Sequence, residues 1–330
     1  MAVAANAAAY EIAHGGGATA AQSTTSNSPS TSGYGGDAFG LSVSTLFPRT
    51  SEPVIYFDSG QLAASGGETD ALPTTVKTSA VSAEGLLSTS TGSNGKAEGQ
   101  SGLASLDLLH GTPAEVTATF VMSSATATCS GVSGNSEITN LKAGGQSVDV
   151  TGAPDQVVTV PGVLKLTINE QTSTSTSIRV NALHLQTPLG EDIIASEAYS
   201  SISCPSSQPS SSHDFVSGGG WLSNGGTSGV FGFVAGYRQD LTSLGGSLVF
   251  VDPGTGMKVV ATTVTSYSGN GNSRSFAGAA MVNGGPGYSY KVKVFDGGTT
   301  GAGHASFTIQ LSNGYNASGT LGGGTIEVHR

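Results

Sequence analysis

Residues able to do chemistry are few in this chain and far apart. Six histidines (His14, His110, His184, His213, His304 and His329) are spread over 330 residues, too dispersed to suggest a shared site. No Gly-x-Ser-x-Gly elbow, His-Glu-x-x-His pair, phosphate loop or EF-hand loop is present. His213-Asp214 puts an imidazole beside a carboxylate. Adjacent residues on an extended chain point to opposite sides, however, and with serine everywhere the pair singles out no nucleophile. Glu191-Asp192 offers the hard oxygens that calcium takes, but two solvated carboxylates in a turn are the plainer reading. These patterns nominate no catalytic residue, cofactor or metal, and the expectation is a protein that is not an enzyme.

Two further groups bear on binding. Trp221 is the only tryptophan; with Tyr237, Tyr267, Tyr288 and Tyr290 it is a candidate sugar-stacking platform. The competing reading makes Trp221 a plug in a core or interface. Lys258, Lys291 and Lys293 lie on predicted strands with Asn and Asp nearby, the raw material of a Lys–Asn isopeptide bond. That bond needs a buried triplet, and Lys291 and Lys293 alternate with Tyr288, Tyr290, Val292 and Val294, so they belong to the solvent face. Asn316-Ala317-Ser318 has the form of a glycosylation sequon.

The elements that must position these residues are strands. Charged residues make up 10% of the chain, against about 25% in an ordinary soluble domain. Apolar residues make up 37%, too many for a disordered chain. Fifty glycines with abundant Ser and Thr suit an all-β, secreted protein. A net charge of −10 without a basic cluster argues against nucleic acid as a partner, and no apolar run is long enough to span a membrane. The opening Met1 to Tyr10 is not an intact signal peptide, and no hydrophobic tail follows Ile326 to Arg330, so no anchor is expected within this chain.

Four segments follow from texture. Residues 1–33 are a Gly/Ser/Thr-rich arm of low complexity. Residues 34–204 read as a first antiparallel β-sandwich domain: Leu41, Val43 and Thr45 alternate with serines, Val54 to Phe57 is a short apolar strand, and Asn94-Gly95 is a turn. Ile138 to Leu141, Val148 to Val150, Val157 to Val160 and Val163 to Ile168 are short strands between glycine and proline turns, with Asn169-Glu170-Gln171 ending the last. Residues 205–212 (PSSQPSSS) are an extended Pro/Ser linker, read as a hinge. Residues 213–330 read as a second antiparallel sandwich, with hairpins turning at Asp252 to Gly256 and Asn283 to Gly287.

The first domain contains a repeat. Leu106-Asp107-Leu108 precedes Thr112-Pro113, and Cys129 lies sixteen residues after that proline; Leu183-His184-Leu185 precedes Thr187-Pro188, and Cys204 lies sixteen residues after that one. Each copy reads as strand, proline turn, strand, cysteine. Matched spacing suggests two equivalent hairpins on neighbouring strands, their ends tied by a Cys129–Cys204 disulfide; two buried thiols are the alternative. A bridge over this loop would remove about 4 kcal/mol of unfolded-state entropy in the chain-entropy model.

Several of these segments together resemble a bacterial surface family, the choice-of-anchor P proteins. The likeness rests on Gly36 to Val43, Pro161-Gly162 leading to Asn169-Glu170-Gln171, Asn181 to Leu185 and the two cysteines. In the second half it rests on Phe231 to Gly236, Asp252 to Val259 and Ser312-Asn313-Gly314-Tyr315. The resemblance implies an exported bacterial protein held at the cell surface through varied C-terminal anchors, and implies no catalytic residues. The expectation is therefore an extracellular structural protein, a filament subunit that self-associates by docking residues 1–33 on a neighbour. The alternative is a monomeric adhesin gripping a glycan or host surface protein.

Overall fold

A computed structural model describes residues 33–44, 52–71, 74–204, 214–223, 229–237, 243–298 and 303–330. The described residues form strands and turns with no helix, as the composition predicts. The arm (but for Gly33) and the Pro/Ser linker lie outside the described residues.

Fourteen strands precede the linker: β1 (Tyr34–Ser44), β2 (Val54–Asp58), β3 (Gly67–Asp70), β4 (Thr75–Lys77), β5 (Val81–Ser93), β6 (Lys96–Leu108), β7 (Val116–Thr128), β8 (Gly131–Thr139), β9 (Lys142–Ala143), β10 (Gln146–Ser147), β11 (Gln156–Val160), β12 (Leu164–Ser173), β13 (Ser177–Gln186) and β14 (Asp192–Ile202). They make two antiparallel sheets. One has six strands in the order β11-β12-β13-β14-β1-β2; the other has eight, β10-β9-β7-β6-β5-β3 with β4 on β5 and β8 on β7. Leu41, Leu166, Leu183 and Ile193 of the first sheet share a buried core with Leu103, Leu106, Val116 and Val121 of the second. Alongside this apolar half runs a serine layer. Ser101 Oγ donates to the Phe39 carbonyl (2.9 Å), Ser196 Oγ to the Ser101 carbonyl (2.9 Å), and the Ser123 and Ser196 hydroxyls bond each other (2.9 Å). Ser101, Ser123 and Ser196 thus each find a partner inside the core.

The repeat is present as two hairpins, β6–β7 and β13–β14. They are not neighbours in one sheet, as the spacing suggested. They lie in opposite sheets and face each other across the core, which is how Ser123 meets Ser196. Cys129 and Cys204 stand at disulfide distance, Cα to Cα 5.7 Å, so the bridge joins sheet to sheet. Two strand boundaries also differ from the sequence reading. Val148 to Val150 is not a strand, and β12 runs on through Asn169-Glu170-Gln171. Asn169 is one of three residues at positive φ (Asn169 53°, Ser196 62°, Phe57 59°), all on one line across the six-stranded sheet. Each shifts the in–out alternation of its strand by one residue. This is why Ala195 to Ala198 are buried in succession, a pattern that period-2 reading cannot anticipate.

Nine strands follow the linker: β15 (Phe215–Leu222), β16 (Val230–Tyr237), β17 (Leu244–Asp252), β18 (Met257–Ala261), β19 (Ser266–Asn270), β20 (Ser273–Val282), β21 (Gly285–Phe295), β22 (Ser306–Leu311) and β23 (Asn316–His329). They are antiparallel, but they do not form the expected sandwich. β18 pairs with β20 through Val259–Val282, Val260–Met281 and Ala261–Ala280, which closes eight strands into a barrel with β19 attached outside. Alternation along a strand specifies an inside and an outside, and those are the same for a sandwich and a barrel; closure depends on one distant pairing. The hairpin turns are where the sequence puts them. Asn94-Gly95 and Asn283-Gly284 both have positive φ at the two central residues, as a two-residue turn requires. Tyr290, Val292 and Val294 point into the barrel while Lys291 and Lys293 face out. Phe231, Phe233, Phe250, Phe276 and Phe307 fill the interior, Phe231 stacking on Phe307 at 4.0 Å, so the barrel has a solid core.

The two parts are in contact. Leu86, Leu87, Phe120 and Met122 on the outer face of the eight-stranded sheet form one buried cluster with Val230 and Val249 of the barrel. The sequence suggested a hinge; the two parts instead meet at a packed seam with an apolar centre. β5 and β6 are consequently covered on both faces, by the six-stranded sheet and by the barrel.

Candidate functional site

At one end of the seam the apolar contact gives way to charge. β6 is a central strand, and the side chains at its start that face the barrel are Lys96, Glu98 and Gln100. Opposite them β23 brings Glu327 and His329. Lys96 Nζ lies 2.6 Å from Glu98 Oε1 and also pairs with Glu327 Oε1, so one ammonium bridges two carboxylates from the two parts of the fold. Thr126 Oγ1 donates to Glu98 Oε1 (3.3 Å). Glu98 Oε2 is buried without a hydrogen-bond partner and faces His329 Nδ1 at 3.6 Å. The His329 ring stacks on Phe215 (4.2 Å between centroids), and its Nε2 shares a hydrogen bond with Ser217 Oγ (2.9 Å).

Burial dominates the electrostatics. It pushes Glu98 well above the ordinary carboxylate range, the Glu327 charge adds to this, and Lys96 only partly opposes it. Burial acts the same way on Glu327, but the adjoining Glu98 carboxyl and the neighbouring His329 and Lys96 outweigh it and bring Glu327 down to about 2. Burial lowers His329 to about 4, leaving the imidazole neutral at neutral pH. The two carboxyl groups are thus driven apart: Glu327 is the anion and Glu98 the group that resists charge. Two cavities open on the cluster. One, of about 250 Å³, reaches Ser124, Thr126 and Ser133; the other, of about 310 Å³, is bounded by Asn272, Asp296 and Arg330. Both are polar and suit a hydrated or hydroxylated ligand.

The sequence-nominated residues are elsewhere. Trp221 is half-buried at the seam, its ring against Gly322 and Gly323. Tyr237 and Tyr267 meet edge to face at 5.9 Å; Tyr290 is buried in the barrel against Phe276, and Tyr288 is half-buried at the barrel core. Of the five, only Tyr237 and Tyr267 are brought into ring contact with each other. Asp214 holds the Tyr267 hydroxyl and Arg274 Nε, each at 2.8 Å, while His213 lies outside the described residues. Glu191 accepts from Thr187 Oγ1, and Asp192 from Gln186 while also contacting His184, so both carboxylates of that turn have protein partners. Lys258 crosses the seam to Glu84. Asn316 is exposed at the start of β23.

Sequence reading missed the cluster because Lys96 and Glu327 are 231 residues apart. The one available signal was local: charges are scarce, and Lys96 and Glu98 sit two apart in a strand of small residues.

A scan against models of known protein families finds no match, and no curated protein matches the chain. Among solved structures, the comparison finds a crystal structure described as a putative AttH from Nitrosomonas europaea. The match has 9% identity, covers 90% of this chain and 92% of that one, and has a TM-score of 0.21, too low to carry an argument about fold or function. Among the described residues no helix is long and apolar enough to cross a membrane.

Proposed function

We propose that this chain is an extracellular structural protein of a cell surface or filament, assembled by docking residues 1–33 of one copy on the next. The observation that carries this reading is the bracing of the point where the arm leaves the body. The arm enters β1, which lies between β14 and β2 and pairs with β14 at ten positions from Tyr34–Ile202 to Ser44–Asp192. Ser203 N donates to the Gly33 carbonyl at 2.8 Å, and the next residue, Cys204, is tied to Cys129 at the end of β7 in the opposite sheet. A pull on the arm therefore runs along β1, in shear against a whole ladder, and the bridge passes it to the second sheet. A disulfide also fits an oxidising, extracellular compartment.

The test is negative-stain electron microscopy with size-exclusion chromatography, on the full chain and on a chain lacking residues 1–33. Filaments or defined oligomers that vanish with the arm are expected; identical monomer profiles overturn the mechanism. A second reading, a monomeric adhesin that grips glycan or a host surface protein, draws on the polar cavity beside Asn272, Asp296 and Arg330. Glycan-array binding by a monomer would favour it.

A further inference from the structure

We propose that Glu98, Glu327 and His329 form a binding site for a dication of the zinc class at the seam between the eight-stranded sheet and the barrel. Their donor atoms lie within 4.8 Å of one another and come from both parts of the fold. Glu98 is only 6% exposed, and its Oε2 is a buried acceptor with nothing to accept from, aimed at the other two residues. An orphaned acceptor of this kind is costly unless a cation or donor completes it.

The geometry favours a cation. Glu98 Oε2 and His329 Nδ1 are 3.6 Å apart, beyond the 2.7–3.2 Å of an N–H···O hydrogen bond. The separation is close to the edge, about 3.3 Å, of a tetrahedron with metal–ligand bonds of ~2.0–2.1 Å. The imidazole is already oriented as a ligand would be: Ser217 engages Nε2, and Phe215 fixes the ring plane, leaving Nδ1 for the ion. One nitrogen and two carboxylates suit zinc and its first-row neighbours, whereas calcium and magnesium take oxygen alone. The adjacent cavity of about 310 Å³ gives an entry path and room for a water as fourth ligand.

Lys96 is the competitor. Its ammonium touches both carboxylates, and its side chain is 35% exposed, so it has solvent to turn to when an ion displaces it. A second cluster, Asp107, His110 and Glu115, serves as a control. It is more exposed: His110 Nδ1 meets Asp107 Oδ2 at 2.7 Å with the imidazole largely in solvent, Glu115 accepts from Gly111 N at 2.7 Å, and Asp107, whose other oxygen has no partner, is only half-buried.

The experiment is isothermal titration of Zn²⁺ into the untagged full chain, after chelator treatment, together with the visible spectrum of the Co²⁺ form. Saturable one-to-one binding is expected. Glu98→Gln should abolish it, Ser217→Ala should weaken it about 10-fold by loosening His329, Lys96→Met should preserve or tighten it, and His110→Ala should leave it unchanged. Absence of saturable binding to the wild-type chain overturns the proposal, as does binding that survives Glu98→Gln or disappears with His110→Ala. Circular dichroism checks that each variant folds. If Glu98→Gln does not, X-ray absorption of the zinc-loaded His110→Ala chain decides: a single imidazole in the shell supports the site, and an all-oxygen shell overturns it.

Discussion

Tyr315 donates its phenolic proton to Asp252 Oδ2 across 2.8 Å, joining residues 63 apart in sequence. Asp252 also accepts from the Gly254 amide (2.9 Å) and the Thr255 hydroxyl (2.8 Å), so it organises its own turn while Tyr315 ties that turn to the one between β22 and β23. Burial alone would raise the Asp252 carboxyl; the bonds from Tyr315, Thr255 and Gly254 win and hold it below its usual range. A hydrogen bond to a charged acceptor contributes about 1.5–3 kcal/mol. Tyr315→Phe should lower the urea midpoint by a corresponding amount with an unchanged slope. An unchanged midpoint would mean that the bond does not form in solution.

Asp37, on β1, gives stability a pH dependence. Burial, reinforced by the neighbouring Asp58 charge, raises its carboxyl to about 6, although Arg179 pulls the other way. In the unfolded chain it titrates near 4. Between these values the folded state holds a proton that the unfolded state has released, so stability falls as pH rises. The contribution is fully present below about pH 4 and is lost as pH passes 6. Asp37→Asn should therefore gain stability relative to the wild type at pH 7.5 more than at pH 4.5. Thermal melts at the two pH values check this, and an equal shift at both contradicts it.

The seam tolerates no side chain at Gly232. A Cβ there would lie 2.4 Å from the Leu86 carbonyl oxygen and 2.6 Å from its carbon, both backbone atoms of a central strand. Gly232→Ala should cost about 1–3 kcal/mol as overpacking and should part the barrel from the sheet. Trp221 is the only tryptophan and sits at that seam, so its emission should shift to the red. Wild-type stability with unshifted emission would argue against the packed seam.

Replacing both Cys129 and Cys204 by serine should destabilise the chain by about 4 kcal/mol, the entropy a loop of this length restores to the unfolded state. Equal denaturant midpoints for the two proteins would show that the bridge does not constrain the unfolded chain.

What was legible in the sequence was local. Asn94-Gly95 and Asn283-Gly284 announced their turns because two positive φ values in a row demand those residues. The alternation of Tyr290, Val292 and Val294 with two lysines placed β21 correctly because its two faces meet different surroundings. The disulfide pair was readable from cysteine number and spacing, but not that its hairpins lie in opposite sheets. Pairing between distant strands left no local trace: Val259 with Val282 closes the barrel, and nothing around either residue distinguishes closure from a second sheet. β5 and β6 were hard for a further reason. With both faces covered they have no polar side to mark register, so the placement of Glu98 under His329 could not be inferred.

In both parts of the molecule the first strand pairs with the last. β1 lies beside β14, from Tyr34–Ile202, and β15 lies beside β23, from Phe215–His329. Neither ladder can begin until its final strand is available, so each part is a unit of high contact order that folds late and slowly. During synthesis the barrel must wait, with its five core phenylalanines uncovered, until residues up to His329 have emerged. By then the N-terminal sheets, complete at Ile202, already present the apolar face of Leu86, Leu87, Phe120 and Met122. The order of emergence from the ribosome or an export pore thus supplies a finished template before the part that docks on it exists.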